Sequence, residues 1–425
     1  MNTKLIVRVT FFFTIWIVMF LSNPLMYACT GFMMSDGENV LVGNNEDYKI
    51  PYTRVWFLPS EYGRYGRVFF GYDNWSPQGG MNDQGLFIDG FMTKKQPIKL
   101  STDKPKFPGP MIDTIMAKCA NVEDVLDMFS KYNLEWMEKA QVFIVDKSGD
   151  SAIIEGDEVV RKSGSYQVVT NFRQSQIPEN QKPCNWWTYG CSRYKTTEKM
   201  LLAIDTPTVA QFRDILKATH RSSYNIISTT QYSNIYDLSN GVVYLYYLHD
   251  FENEIAFNLN QELKKGQHYF DIPSLFNKEL KYETQVYTHS SPSFRIYYPK
   301  HYKVIEPNRN EVLLVKNPMS NTPQIGVYVE NQPKDIQLKD VGEKYLFDLL
   351  EKSSTKAILL YSTQTSLSDG TPANETLFER VINEHWPFKT LVLSTYHDGK
   401  LIFVATTSFA HPEALRDYLY NLRFD

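Results

Sequence analysis

The chain has 425 residues, a formal net charge of −4 and a sequence pI near 6.1. Without a surplus of basic residues, the composition argues against nucleic acid as a partner. With 43% hydrophobic and 22% charged residues it is typical of a soluble globular protein, and its 14% of aromatic residues favours β-rich structure. The length predicts two or three domains.

Residues 1–28 are predicted to form a secretory signal peptide. A positively charged start precedes a nearly unbroken apolar run from Val9 to Leu21, and Ala28 provides a small residue at the cleavage position. The run is shorter than the ~20 apolar residues that span a membrane as a helix. We therefore expect a secreted or periplasmic protein whose mature chain begins at Cys29.

A lipoprotein signal is the alternative reading of the same segment. Met26 is large for the third position before a cleavage site, and a cysteine follows the site directly. An acylated Cys29 would anchor the protein to a membrane and would leave no nucleophile there. The segment alone does not decide between the two.

Cleavage after Ala28 would give Cys29 a thiol and a free α-amino group on one residue. An α-amine titrates near ~7.7–8.0 and a thiol near ~8.5, so a proton can pass between them at neutral pH. This is the chemistry of an N-terminal-nucleophile hydrolase, in which the terminal amine serves as the base.

Downstream of Cys29, residues 31–34 and 40–43 read as two strands joined by a turn at 35–38. Such a hairpin would return Asp47 to the neighbourhood of Cys29. A carboxylate at that place can hold an α-ammonium group and orient the nucleophile. The alternative is a solvated aspartate at the end of a strand.

The remaining patterns alternate between strands and helices. Strands are predicted near 67–72, 85–91, 141–146, 151–155, 166–170, 241–248 and 254–259, and helices over 110–132, 193–203 and 208–219. Polar residues over 264–291 read as a domain junction. Beyond it, further strands and two helices, over 344–350 and 412–422, predict a small α+β domain over 288–425, so the fold class is α+β.

Cysteine and histidine positions give little evidence of a metal site. Cys184 and Cys191 flank a short loop that a disulfide would close, with two free thiols as the alternative, and Cys119 lies on the apolar side of a predicted helix. Five of the eight histidines lie after residue 288, without metal-ligand spacing. We expect neither a metal nor an organic cofactor.

Six short motifs occur in order between Cys29 and about residue 260. They are Cys29–Gly31, Gly43–Asp47, Gly80–Leu86, Val169–Asn171, Ser192–Tyr194 and Thr230–Ser233. Together they resemble the choloylglycine hydrolase family, which includes bile salt hydrolases, penicillin V acylases and related linear-amide hydrolases. The C-terminal tail lies outside the resemblance.

The resemblance implies a four-layer αββα sandwich over residues 29–275. It also implies catalytic roles for four residues. Cys29 would attack an amide carbonyl and form an acyl-thioester, with its own α-amine as base and Asp47 positioning that amine. Asn171 would donate a hydrogen bond to the oxyanion, and Arg193 would support the site electrostatically.

Two positions depart from the family pattern. Asn44 stands where the family has an arginine, which removes a cation that would lower the pKa of the thiol. Met92 stands where the family has a second oxyanion-hole asparagine. Both departures argue for a divergent member, or for an acyltransferase of the acyl-CoA:6-aminopenicillanic acid type. Asn44, Met92 and Trp75 are the candidate substrate contacts, although Trp75 is equally well explained by packing.

The sequence thus predicts a secreted amidohydrolase that cleaves a linear, non-peptide amide of a small N-acylated amine or amino acid. Acyl transfer on the same site is one alternative. A binding protein anchored through an acylated Cys29 is another, from a different class. Homo-oligomer formation stays open, as does binding of a partner or of the cell envelope by the C-terminal domain.

Overall fold

The structure, a computed structural model, describes residues 29–49, 51–61, 63–177, 190–222, 229–278, 280, 283–308, 310–315, 325–331, 333, 336–348, 356–382, 386–408 and 412–424. The chain forms two compact units. The first extends to Gly71 and resumes over Pro77–Lys278, and the second contains Tyr72–Ser76 and Glu279–Asp425. The predicted signal peptide and Cys184 lie outside the described residues. The domain boundaries at 275 and 288 stay a prediction.

Within the first unit, one antiparallel sheet has six strands in the order β10-β1-β2-β11-β12-β13. Their bounds are β1 Thr30–Ser35, β2 Val40–Tyr48, β10 Tyr166–Val169, β11 Thr229–Asp237, β12 Val242–Tyr247 and β13 Asp250–Asn258. Strand β1 is therefore an interior strand, with the edge strand β10 on one side and β2 on the other. The predicted hairpin of β1 and β2 is present, with Phe32 opposite Gly43.

A second antiparallel sheet of the first unit has eight strands in the order β14-β3-β4-β5-β6-β7-β8-β9. Their bounds are β3 Thr53–Leu58, β4 Arg67–Tyr72, β5 Pro77–Asn82, β6 Leu86–Met92, β7 Ala140–Asp146, β8 Ser151–Ile154, β9 Val159–Arg161 and β14 His268–Asp271. Most of these strands are consecutive in sequence, so the sheet is built largely from hairpins.

Helices cover the outer faces of both sheets. They are α1 Met111–Lys118, α2 Val122–Ser130, α3 Cys191–Leu201 and α4 Val209–Thr219, followed by the short helices α5 Leu259–Leu263 and α6 Ile272–Leu275. Helices α3 and α4 contact the six-stranded sheet, while α1 and α2 contact the eight-stranded sheet. One apolar core fills the space between the sheets and another lies under α3 and α4. The α+β fold class is confirmed, and the first unit has four layers.

The two cores are set by the alternation of side chains along β1. Phe32 and Met34 belong to the core under the helices, whereas Met33 belongs to the core between the sheets. Cys29, four residues before Met33, belongs to the inter-sheet core as well. At Gly43 an added Cβ would lie only 2.4 Å from the Phe32 ring, so a glycine is required where that ring packs.

The predicted helix over 110–132 is divided in two by the residues between Lys118 and Val122. The Asn121 side chain accepts a hydrogen bond from the backbone N–H of Asp124 and thereby caps α2. The Cys119 carbonyl accepts a hydrogen bond from Asn82 Nδ2 at 2.8 Å instead of continuing the helix. Apolar periodicity alone did not reveal this capping residue.

The second unit contains a three-stranded and a seven-stranded antiparallel sheet, with strand orders β15-β16-β24 and β17-β18-β19-β23-β22-β21-β20. The strands are β15 Thr284–Ser290, β16 Ser293–Pro299, β17 Lys303–Asn308, β18 Glu311–Val315, β19 Ile325–Asn331, β20 Lys356–Ser366, β21 Pro372–Ile382, β22 Trp386–His397, β23 Lys400–Ser408 and β24 Arg423–Phe424. A π-helical segment covers Val341–Leu346 and helix α7 covers Arg416–Tyr420. Among the described residues, no helix combines the length and the apolar character needed to cross a membrane.

Candidate active site

The Cys29 side chain points into the core between the two sheets and is only 5% exposed. Thr30 pairs with Asn45 in the β1–β2 ladder, so the next step along the ladder places Glu46 opposite Cys29. The thiol donates a hydrogen bond to Glu46 Oε2, with 3.4 Å between sulfur and oxygen. The backbone N–H of Asp47 also interacts with the sulfur. The nucleophile predicted from the sequence is thus held against a carboxylate that the sequence analysis had not singled out.

The surroundings of Cys29 favour the thiol over the thiolate. Burial raises the pKa of Cys29 well above its ordinary value, and the negative charges of Glu46, Asp47 and Asp89 raise it further. The Asp47 N–H acts in the opposite direction because it stabilises a charged sulfur. At neutral pH the sulfur in this environment therefore keeps its proton, and its attack on a carbonyl requires a base.

Asp89 faces the same space from β6 of the opposite sheet and is 1% exposed. Its Oδ1 accepts a hydrogen bond from the Gly90 backbone N–H at 2.6 Å, whereas Oδ2 makes no hydrogen bond of normal geometry with any residue that the structure describes. Burial raises the pKa of Asp89 well above its ordinary value, the charge of Glu46 adds to this, and the Asn44 amide lowers it in part. An added Cβ at Gly79 would lie 2.8 Å from Asp89 Cγ, so this glycine makes room for the carboxyl group.

Two tyrosines of β11 complete the polar lining between the sheets. Tyr232 and Tyr236 are each 1% exposed, and burial raises the pKa of both, with further increases from Glu46 and Asp89. Asn234 Nδ2 donates a hydrogen bond to the Tyr236 hydroxyl at 2.9 Å. The surroundings of Cys29 therefore contain polar and acidic groups inside a core that is otherwise apolar.

The predicted residues Asp47, Asn171 and Arg193 form a connected chain of polar contacts. Arg193 Nη1 lies 2.9 Å from Asp47 Oδ2, and Arg193 Nη2 donates to Asn171 Oδ1 at 3.3 Å. Asn171 Nδ2 donates to the Met92 carbonyl at 2.9 Å. An amide nitrogen carries two N–H groups, so this contact leaves one N–H of Asn171 for a further acceptor.

Asp47 is fully buried within this chain of contacts. Burial raises its pKa from 3.8 to about 6, while Arg193, the Thr230 hydroxyl and Arg221 act to lower it. The Thr230 hydroxyl donates to Asp47 Oδ1 at 2.5 Å. Asp47 consequently gains its negative charge as the pH rises through about 6, so its ability to hold a cationic amine depends on pH in this range.

The start of helix α3 positions Arg193. Gly190 precedes the helix with a φ of 84°, and an added Cβ there would lie 2.8 Å from the Thr170 hydroxyl. The helix therefore approaches the end of β10 closely, where Thr170 leads into Asn171. Cys191, the first residue of the helix, is disulfide-bonded, whereas Cys29 and Cys119 are free thiols.

The candidate substrate contacts lie in different places. Asn44 is buried between the sheets beside Asp89, and Met92 offers its carbonyl to Asn171 while its side chain is 38% exposed. Trp75 is buried and belongs to the second unit, so its contact with a substrate stays a prediction. The sequence analysis missed Glu46 and Asp89. Pairing the residues of the two predicted strands outward from the turn would have placed Glu46 opposite Cys29.

A cavity of about 790 Å³ opens beside the hairpin of β12 and β13 and contains none of the predicted catalytic residues. Its lining includes the stacked rings of Tyr247 and Phe276 together with His249, Asp250 and Lys278. Because Cys29 does not line it, this cavity is not evidence for the catalytic chemistry.

No protein-family model matches the chain, and no curated protein matches its sequence. Among solved structures, a mutant of the conjugated bile acid hydrolase from Clostridium perfringens is similar over 57% of this chain and 96% of its own, at 16% identity and a TM-score of 0.46. Penicillin V acylase from Agrobacterium tumefaciens is similar over 57% and 92%, at 18% identity and 0.46. Cyanobacterial PsbP from Synechocystis sp. PCC 6803 is similar over 34% and 95%, at 14% identity and 0.29.

The first two names are those of activities found in the family that the sequence motifs resemble. At these identities and TM-scores, the likenesses carry no mechanism across to this chain.

Proposed function

We propose that the chain is a secreted N-terminal cysteine amidohydrolase that cleaves linear, non-peptide amides of small N-acylated amines or amino acids. The observation that carries the proposal is the placement of Cys29. Its thiol lies at the start of the interior strand β1, against Glu46, with the polar chain of Asp47, Arg193 and Asn171 beside it. A nucleophile, a carboxylate to orient an amine and an amide donor are the parts that acyl transfer needs.

The reaction follows from these parts. The Cys29 sulfur passes its proton to a base of the site and attacks the amide carbon, which forms a carbon–sulfur bond and a tetrahedral oxyanion. One N–H of Asn171 stabilises the oxyanion, an interaction whose loss typically costs about 10²–10³ in rate. Collapse breaks the carbon–nitrogen bond, and the amine leaves with the proton. Water then hydrolyses the thioester and restores the thiol.

The charges around Cys29 support removal of the residues that precede it. Glu46, Asp47 and Asp89 all raise the pKa of the thiol through their negative charge. A cationic α-ammonium group on Cys29 would offset that charge inside a buried site, where an unpaired charge is most costly. Maturation at Cys29 therefore supplies a base in the neutral amine, and a counter-ion once that amine is protonated.

The test is the intact mass and N-terminal sequence of the secreted protein, before and after treatment with iodoacetamide. We expect a chain that begins at unmodified Cys29 and alkylates there. Cys119 is an internal reference, because burial raises its pKa to about 12 and it carries no α-amine that could take the thiol proton, so it should react slowly. A retained leader or a diacylglyceryl group on Cys29 would contradict the mechanism and favour an anchored binding protein.

Acyl transfer stays open because Asn44 and Met92 depart from the hydrolase pattern. A panel of acyl amides assayed with and without an added amine separates the two reactions. A hydrolase releases the free acid at a rate that the added amine leaves unchanged. A transferase forms a new amide at the expense of the acid.

A further inference from the structure

We propose that Glu46 is a catalytic residue of this site, the general base that takes the proton from the Cys29 thiol. The proposal rests on the proposed function and adds a role that neither the motifs nor the terminal amine provide. In an N-terminal-nucleophile mechanism the α-amine alone is expected to serve as base. Here a side-chain carboxylate already accepts a hydrogen bond from the nucleophile.

The first argument is the contact itself. Sγ of Cys29 and Oε2 of Glu46 are 3.4 Å apart, and both side chains are buried, at 5% and 3% exposure. A base must lie within hydrogen-bond reach of the proton that it removes. Since Glu46 meets this requirement before any substrate binds, the proton can move along an existing hydrogen bond.

The second argument is the alternation of side chains along β2. Glu46 shares the inter-sheet face with Asn44 and Val42, where the thiol also lies. The neighbouring Asp47 instead points to Arg193 on helix α3. The two carboxylates therefore have separate tasks, with Asp47 available to hold the α-amine and Glu46 directed at the sulfur.

The third argument concerns charge. Glu46 and Asp89 repel each other across the inter-sheet space, as the effect of Glu46 on Asp89 shows. Tyr232 and Tyr236 face the same space, and Glu46 raises the pKa of both. Placing a proton on Glu46 relieves this repulsion, so the nearby acidic groups make Glu46 a stronger proton acceptor than an isolated carboxylate.

Each proton transfer in the proposed reaction has a defined donor and acceptor. As the Cys29 sulfur forms its bond to the carbonyl carbon, the S–H bond breaks and an O–H bond forms on Glu46 Oε2. The same proton then passes to the nitrogen of the departing amine when the carbon–nitrogen bond breaks. In the second half-reaction Glu46 takes a proton from water as the oxygen attacks the thioester, and returns it to the sulfur.

The test is the variant Glu46→Gln in the mature protein, with Glu252→Gln as a matched control because Glu252 is exposed. Two rates are compared, kcat/KM for an acyl amide and the alkylation of Cys29 by iodoacetamide at fixed pH. Loss of a general base should lower kcat/KM by about 10²–10⁴. Alkylation should stay equal or become faster, because the variant lacks a negative charge that opposes the thiolate.

A loss of kcat/KM with alkylation of Cys29 unchanged or faster supports the proposal. Hydrolysis within about two-fold of the wild type would overturn it, as would a parallel loss of both rates in a folded variant, which indicates a structural role. Should Glu46→Gln fail to fold, Glu46→Asp provides the comparison. We expect it to hydrolyse the amide more slowly than wild type but faster than Cys29→Ala, and equality with either would overturn the proposal.

The Cys29→Ala variant distinguishes failure of the proposed function from failure of the role proposed for Glu46. If Cys29→Ala retains hydrolysis, the proposed function itself is wrong. If it is inactive while Glu46→Gln keeps wild-type activity, only the role of Glu46 is wrong.

Discussion

Two buried carboxyl groups, one in each unit, differ strongly in their hydrogen-bond and ion-pair partners. Glu375 on β21 of the second unit accepts hydrogen bonds on both oxygens, from the hydroxyls of Tyr361 and Tyr420 at 2.7 and 2.9 Å and from Arg416 at 3.0 Å. Asp89 on β6 of the first unit accepts one backbone N–H and faces a second carboxylate. Both are almost fully buried, at 5% and 1% exposure.

This difference helps to distinguish a structural acid from a functional one. A buried carboxylate with a cation and several donors is compensated within the fold, so the group holds strands together. A buried acid that is left poorly compensated costs stability, and natural sites tolerate such a cost where chemistry needs it. Asp89 belongs to the second class, and mutation can test that assignment.

The largest expected effect is the loss of the nucleophile. Cys29→Ala should lower kcat/KM for an acyl amide by about 10⁴-fold or more, because no other group can form the acyl-enzyme. Cys119→Ala is the matched control, since Cys119 is also a buried free thiol but lies at the end of helix α1. Equal activities of the two variants would show that the acidic groups serve another purpose.

A smaller loss is expected at the predicted oxyanion donor. Asn171→Ala should reduce kcat by about 10²–10³, with KM changing less, because the lost hydrogen bond forms to the transition state. Steady-state kinetics on a single amide substrate measures the changes in kcat and KM separately. An effect on KM alone would instead mean that Asn171 only holds Arg193 and the Met92 carbonyl in place.

The pH dependence of the reaction should reflect Asp47. Burial raises its pKa from 3.8 to about 6, so it is ionised above that value and neutral below it. Only the ionised form pairs with Arg193 and an α-ammonium group, so kcat/KM should fall about tenfold per pH unit below about 6. We expect the Asp47→Asn variant to have low activity and no such fall of kcat/KM at acid pH. If the fall persists in the variant, it reflects the titration of another group.

The two carboxyl groups should also respond oppositely to neutralisation. Glu375→Gln should lower the free energy of unfolding by about 1–3 kcal/mol, because it weakens bonds to Arg416 and two tyrosines. Its kcat/KM should match the wild type in the folded protein. Urea unfolding followed by circular dichroism, with an assay on the same samples, measures both quantities. Unchanged stability would show that Glu375 is not structurally important.

Asp89→Asn is the counterpart and should leave stability unchanged or raise it by up to about 1 kcal/mol. Burial raises the pKa of Asp89, so the folded state opposes its ionisation and this cost grows as pH rises above its ordinary value of 3.8. Asparagine carries no such cost, so the advantage of the variant should increase from pH 4 to pH 7. A destabilised variant at neutral pH would place Asp89 with Glu375 among the structural acids.

The site was predictable from sequence wherever a motif or a strand period marked it. The hairpin of β1 and β2 followed from two apolar runs and a turn, and it placed Cys29 and Asp47 near each other. The motifs at Asn171 and Arg193 came together through helix α3, as the family resemblance implied. Glu46 and Asp89 were missed because each is a single acidic residue within a strand, and its importance depends on what the opposite face contains.

Much of the second unit could not be predicted. The long strands β20 and β21 mix polar and apolar residues without a clear alternation, so their pairing is set by the sheet and not by local preference. The predicted helix over 344–350 falls where the structure has a π-helical segment, Val341–Leu346, and its last two residues lie outside the described part of the chain. Such segments depend on packing that a one-dimensional pattern does not contain.

Under the proposed function, the disulfide at Cys191 makes the redox state of the solution a variable of catalysis. This residue begins the helix that carries Arg193, two positions later, and Arg193 pairs with Asp47. Reduction frees the first turn of that helix from its covalent restraint, while Cys29 needs its sulfur reduced to act. Under the proposed function, the protein should therefore work best where one sulfur is oxidised and another is not, so a mild reductant that protects Cys29 should also loosen the helix that carries Arg193.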